Sequence, residues 1–247
     1  MLEKIEGMII KTQDYSETHK IVTIYSGKVG KFSALARGAK KPKSKMAAVT
    51  QPFIYGAFLI YLNKGLSTIQ QGDILNSYRP IREDIMKTAY AAYVTELTDK
   101  ILETKMPDSY IFKQFLLTID WIAENETYLI PILMYELKLY RKGGFAPVVN
   151  QCVNCHQNKE LVAFSISEGG VLCANCRYLD THPLNISPRV IKLLHTFLNV
   201  GLEQVGSISI KASNQTMLRQ LLDAYYDHYG GYYLKSRRFL RQIDDLT

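Results

Sequence analysis

Near residue 80 the spacing of apolar positions changes, and the change predicts two kinds of structure in one chain. Before it the apolar residues come in short, β-rich runs. His19–Lys20–Ile21 leads into Val22 and Ile24 and stops at the turn residues Ser26–Gly27. Gly30 to Ala36 alternates loosely, and Phe53 to Leu62 is an aromatic and aliphatic run too short and too β-rich for a helix. Gly65 and Gly72 punctuate the stretch beyond Leu62. Several short strands with turns at this spacing predict a small antiparallel barrel. Arg37–Lys45, with Lys40, Lys41, Lys43 and Pro42 inside it, is too charged to pack in a core and predicts a basic, flexible loop.

Pro80 closes that region, and the period lengthens. Ile85, Ala89, Tyr93, Leu97 and Ile101 recur every four residues, with Met86, Tyr90 and Leu102 widening the stripe. Pro107–Asp108–Ser109 breaks it. Ile111, Phe112, Phe115, Ile119 and Ile122 predict a second helix. A third is predicted with Thr127 as its cap and Pro131 near its first turn, continuing through Leu133, Leu137 and Tyr140 to Gly143–Gly144. Ser187–Pro188 reads as an N-cap followed by proline at the first helical position, opening a helix to about Val200. A further helix is predicted from Ser213–Asn214 to Gly230–Gly231. The fold class is α+β: a barrel over 1–80, then a helical domain over 81–247 with a cysteine-bearing insert at 148–182.

The charge sharpens this division. The chain carries a net +7. Its first 80 residues hold twelve Lys and Arg against five Asp and Glu, and the rest is balanced. Between Glu17 and Asp73 lie nine basic residues and no acidic one. A positive field gathered on one third of a chain points to a polyanion, nucleic acid ahead of an anionic membrane. The plain alternative is a solvated basic face. The candidate phosphate contacts are Lys28, Lys31, Arg37, Lys40, Lys41, Lys43 and Lys45, and the rings of Phe53, Tyr55, Phe58 and Tyr61 come after them. Those rings either stack on bases or fill the barrel. A second basic cluster, Lys235, Arg237, Arg238 and Arg241, extends the path, docks an acidic tail or is a solvated helix face. No segment has the length of apolar sequence a membrane span needs, and the N-terminus lacks a signal-peptide layout, so the expected compartment is the cytoplasm.

All four cysteines fall in two pairs, Cys152–Cys155 and Cys173–Cys176, at the spacing of a zinc site. Two residues between thiolates let one tight turn aim both sulfurs at a tetrahedral ion. Phe164–Ser167 and Gly170–Leu172 flank Glu168–Gly169, which predicts a hairpin returning the second pair to the first, a zinc ribbon in outline. His156 adjoins Cys155 and is a possible substitute ligand. One structural Zn2+ on four thiolates leaves no open position for chemistry.

A search for an active site finds little. Gly201–Gly206 has phosphate-loop spacing but lacks the Lys-Ser/Thr that should come next. His19, His156, His182, His195 and His228 have no metal or triad spacing. Glu83–Asp84 and Asp244–Asp245 fit ordinary helix-start and chain-end charges. A non-enzyme is expected. The rivals are an RNA-binding protein with structural zinc, a nucleic-acid-modifying enzyme with structural zinc, and a pure protein-docking module.

Several stretches resemble the RecO family of bacterial recombination-repair mediators: Gly7–Lys11, Tyr15–Val22, Gly30–Ser44, Tyr93–Leu97, Gly143–Pro147, Gly169–Cys173 with the four cysteines, and Ser236–Leu240. They run nearly end to end in the family's order. The resemblance implies an N-terminal OB-fold barrel and a helical domain with a four-cysteine zinc element. It implies binding of single- and double-stranded DNA and annealing of complementary strands. It further implies action with RecR, and contact with the C-terminal tail of single-stranded-DNA-binding protein (SSB), so that RecA can load, in the nucleoid. By position, Arg37, Lys40, Lys41, Lys43 and Lys45 would contact DNA. His156 departs from the pattern, since the family often has glycine there.

Overall fold

A computed structural model describes residues 1–205 and 210–244. Five strands, β1 (Leu2–Tyr15), β2 (His19–Ser26), β3 (Gly30–Ala36), β4 (Tyr55–Tyr61) and β5 (Ser67–Asn76), close into a barrel in the order β1-β2-β3-β5-β4. All neighbours are antiparallel except β3 and β5, which run parallel at Ala34–Ser67 to Ala36–Ile69. This is the five-stranded oligonucleotide-binding topology.

β1 closes the barrel by serving two partners. Leu2–Met8 pairs with β4, Met8–Tyr15 pairs with β2, and the register shifts between Ile9 and Lys11. Met8, Ile9 and Ile10 around the bulge are buried in succession, with Ile9 in the barrel core. Gly7 is needed where β1 crosses β2, because a Cβ there would lie 2.7 Å from the Tyr25 carbonyl oxygen. Ile5, Ile9, Val22, Ile24, Phe32 and Phe58 fill the interior.

The basic stretch expected to be a flexible loop is a succession of hydrogen-bonded turns running into the short helix α1 (Lys45–Val49). The barrel strands end at Asn76, and Pro80, expected to close that region, sits in the first turn of the helix that follows, α2 (Arg79–Glu83). α3 (Ile85–Ile101) is capped by the Asp84 side chain, which accepts from the Lys87 N–H at 2.8 Å. Its expected stripe is buried at Ala89, Tyr93 and Leu97, but Ile85, at the first helical position, is 69% exposed. α4 (Ser109–Glu124) is capped by Asp108. Both helices are fixed to the barrel. The Asp99 carboxylate of α3 takes Lys11 at 3.4 Å and Lys31 at 3.3 Å, and the Tyr25 ring meets Phe112 and Phe115 edge-on at 5.1 and 5.2 Å.

A second compact unit spans Thr127–Tyr233. It opens with α5 (Leu129–Lys142), whose N-cap is Tyr128 with no side-chain cap. Thr127, the expected cap, stands one residue too early for its hydroxyl to take that position. Strands β6 (Leu161–Ser165), β7 (Gly170–Cys173) and β8 (Leu184–Asn185) form a sheet in the order β7-β6-β8. The β6–β7 hairpin turns at Gly169, whose φ is +77°. α6 (Pro188–Asn199) is capped by Ser187, and α7 (Ala212–Tyr229) starts slightly before the expected Ser213. Leu202–Gln204 is a 3-10 turn, while the rest of the glycine-spaced stretch (Gly206–Ile208) lies outside the described residues, as does Asp245.

Two buried polar contacts join the helices of this unit. Glu136 of α5 is 1% exposed and receives two bonds from the Arg219 guanidinium of α7, at 2.6 and 3.1 Å. Lys138, also on α5, donates at 2.8 Å to the Phe197 carbonyl in the last turn of α6, where carbonyls lack intrahelical donors. Ring contacts extend the core outward: Tyr140 stacks on Phe145 at 4.9 Å and lies tilted 5.8 Å from Tyr226, and Tyr225 meets Phe164 of the hairpin edge-on at 5.9 Å.

The chain finally returns to its beginning. α8 (Lys235–Asp244) groups with Met1–Glu126, not with the unit that precedes it. No helix among the described residues is long and apolar enough to cross a membrane.

Candidate nucleic-acid interface and metal centre

The turn after β3 is shaped from beneath. Ala39 is buried, pinning the middle of the basic run against the barrel core. Gly38, at φ +69°, donates its N–H to His19 Nδ1 at 3.1 Å, and Lys40 donates its N–H to the Thr18 carbonyl at 3.0 Å. The β1–β2 turn therefore supports the basic one. Lys40 spends its charge locally, pairing with Asp14 at 2.9 Å, and this ammonium holds the Asp14 carboxyl below its ordinary range. Arg37, Lys41, Lys43 and Lys45 are exposed, and none pairs with a carboxylate among the described residues. Four like charges held on one short turn form a cationic array open to solvent.

Lys28 and Lys31 are not part of it. They stand at the opposite end of β3 from Arg37, roughly 20 Å away at about 3.3 Å per residue. Lys28 pairs with Glu3 at 3.0 Å. Lys31 is 11% exposed and is held by Asp99 through both its carboxylate and its backbone carbonyl. His19, Thr18 and Asp14, which shape the turn, carry no local sequence signal of that role.

In the second unit the cysteine pairs converge. Cys152 and Cys155 flank a turn in which the Cys152 N–H reaches the Gln157 carbonyl at 2.7 Å and the His156 N–H returns to the Cys152 carbonyl at 3.0 Å. Cys173 ends β7, and Cys176 lies in the 3-10 turn Ala174–Leu179. The four Sγ atoms lie within 4.8 Å of one another, and Cys155 and Cys173 are 3.6 Å apart. A tetrahedron with metal–sulfur arms of about 2.3 Å has edges of about 3.8 Å, so the donor set fits a four-thiolate ion.

The thiols are unbridged, and their ionisation supports the same reading. Burial opposes the Cys152 thiolate, yet the N–H groups of Cys155, Cys173 and Asn154 pull that thiol down to about 6. The Gln157 N–H favours ionised Cys155, but desolvation and the neighbouring sulfurs outweigh it and push that thiol up to about 12. One anion opposes the next until a cation sits among them. His156 is not needed as a ligand; its Nδ1 lies 3.1 Å from the Gln151 amide nitrogen.

Known proteins resemble the chain along nearly its whole length. The family model described as recombination protein O N terminal matches residues 1–78, and that described as recombination protein O C terminal matches residues 82–238. The chain belongs to the recombination protein O family. A relative in Oceanobacillus iheyensis, named DNA repair protein RecO, is 55% identical over 99% of this chain and 95% of its own length. Relatives of the same name in Bacillus mycoides and Bacillus cereus are 45% identical over 99% of this chain and 98% of their own.

In this member of the recombination protein O family the rings beyond the basic turn have separate fates. Phe58 is barrel core, and Phe53 is buried with φ +65°. Tyr55 is half-buried and donates to Glu6 at 3.1 Å, while Tyr61 is 46% exposed. Of the second basic cluster, Arg237 is 8% exposed and faces inward, whereas Lys235, Arg238 and Arg241 are exposed on α8.

Proposed function

We propose that this chain binds single- and double-stranded DNA through the turn bearing Arg37, Lys41, Lys43 and Lys45 and anneals complementary strands. Its family gives it a role in DNA repair and recombination mediation. The supporting observation is that these four cations stand exposed on a braced turn with no carboxylate partner among the described residues. Two DNA strands repel each other through their phosphates over a screening distance of about 10 Å at 0.1 M salt. A cationic surface that binds backbones offsets this repulsion and leaves base edges free to pair, so annealing needs no bond chemistry and no catalytic residue.

In this reading 1–80 is the nucleic-acid-binding domain, 81–247 the helical one, and 148–182 its metal-bearing insert. Cys152, Cys155, Cys173 and Cys176 hold one structural Zn2+, which crosslinks the two turns. The protein works in the cytoplasm at the nucleoid. With RecR it helps RecA load onto DNA covered by SSB, whose C-terminal tail it contacts. Lys28 and Lys31 contribute long-range potential rather than contact, given their carboxylate partners.

The test is annealing of complementary oligonucleotides, with and without SSB, beside DNA affinity measured across a salt series. For Lys41/Lys43/Lys45→Ala the slope of log affinity against log salt should fall by about 2 on single strands, at about 0.7 per lost phosphate contact, and annealing should slow. An unchanged slope would remove the turn from the mechanism.

A further inference from the structure

Two of the stretches that carry the family resemblance, Tyr93–Leu97 and Ser236–Leu240, meet in the fold. The Glu96 carboxylate of α3 accepts the Lys235 N–H at 3.2 Å, the Ser236 N–H at 2.8 Å and the Ser236 hydroxyl at 2.5 Å. These are the first two N–H groups of α8, which have no acceptor inside their own helix. The residue in front of the helix is Leu234, which has no side-chain oxygen to offer, so the cap comes from a residue 139 positions before Lys235. A carboxylate at this end also meets the positive pole of the helix.

α8 needs that help. It has ten residues, fewer than the roughly 12–15 an isolated helix requires to persist in water. Lys235, Arg238 and Arg241 gather like charge on its exposed face. Leu234, Arg237 and Leu240 turn inward, and Lys235, Arg238 and Arg241 turn outward with Phe239, itself 44% exposed.

We infer that Glu96 is a latch holding the C-terminal helix in order on the barrel-bearing unit, where its outward cations form a second surface for nucleic-acid phosphates. The inference rests on the DNA-binding reading above and adds Glu96 to it as a positioning residue. Barrel, α3 and α8 lie in one compact unit, so the basic turn and the helix are carried by the same body.

The test exploits a conflict of sign. Removing a carboxylate beside three cations should tighten DNA binding if only charge matters. A released latch should weaken it. DNA affinity across a salt series is therefore measured for the full-length protein, Glu96→Ala, Glu96→Gln, Lys235/Arg238/Arg241→Ala and the combined Glu96→Ala quadruple variant. Amide hydrogen exchange over 235–244 is followed for each. Glu96→Ala is expected to speed exchange in α8 and to weaken binding as much as the triple variant, lowering the single-strand salt slope by about 2. The quadruple variant should be no worse, and Glu96→Gln, which keeps one acceptor, should fall between.

Tighter or unchanged binding by Glu96→Ala, or unaltered exchange in α8, would overturn the latch. The triple variant alters only exposed side chains, so it remains decisive if Glu96→Ala fails to fold; normal binding by it would overturn the second surface. If it binds normally while Lys41/Lys43/Lys45→Ala binds poorly, the basic turn survives and only the latch is lost. If the Lys41/Lys43/Lys45→Ala slope is unchanged, it is the basic turn that fails, and the latch is still judged by Glu96→Ala and the triple variant.

Discussion

The basic turn and the cysteine cluster are opposite ways of gathering charge. On the turn, four cations stand in water with no carboxylate partner among the described residues, and their spacing need only match a flexible polyanion. In the cluster, four sulfurs lie within 4.8 Å of one another, three of the cysteines are buried, and the arrangement could hold an ion. The first should influence binding and barely affect stability; the second should do the reverse. Each half of that contrast can be broken by experiment.

The largest effect should come from the cluster. Cys173→Ser removes a ligand at the end of β7, and the metal content measured on the purified protein should fall with it. The second unit should lose on the order of 4 kcal/mol, the scale of losing a structural metal or disulfide. A variant with normal melting and no metal would mean that the cluster is not structural.

A smaller effect is expected from Lys138. It is 2% exposed, and burial, aided by Arg141 and only partly opposed by Glu203, pulls its ammonium down to about 8. The unfolded chain then holds the extra proton at higher pH than the folded one. The resulting penalty is complete below pH 8 and is relieved as pH rises from about 8 towards 10.5, stabilising the fold by about 3 kcal/mol over that window. Denaturant titrations across it should show this rise in the native protein and lack it in Lys138→Met. A Lys138→Met variant with an equal rise would assign it to other groups.

The smallest stability change belongs to the open region. Lys41/Lys43/Lys45→Ala should move unfolding free energy by no more than about 0.5 kcal/mol, as surface substitutions do. A drop of several kcal/mol in thermal or denaturant unfolding would show that the turn is part of the fold rather than a charged fitting on it.

The same contrast governs what can be read from the sequence. The cysteine spacing states its own geometry, because two intervening residues permit only a tight turn. β2, β3 and β4 announce themselves by short β-rich runs. β1 does not, since Met8, Ile9 and Ile10 are buried one after another around its bulge and alternation is lost there. β5 is buried mainly at its start and is held by its backbone ladder to β4, so it leaves little side-chain pattern. Charge density marks the basic region but not which of its cations find a carboxylate partner. The carboxylates that take Lys28 and Lys31 come from Glu3 and Asp99, 25 and 68 positions away. His156 occupies a left-handed backbone at φ +61°, which explains why glycine suits that place in the knuckle and how a histidine departs from it.

That α8 groups with Met1–Glu126 has a consequence for how the chain is made. On a ribosome the barrel emerges first, at about 5–20 residues per second, yet its unit is not whole until everything through Tyr233 has been translated. Any product that stops short of Leu234 carries a barrel without its final helix. Completion of the earliest-made unit therefore waits on codons read after the whole of the second unit.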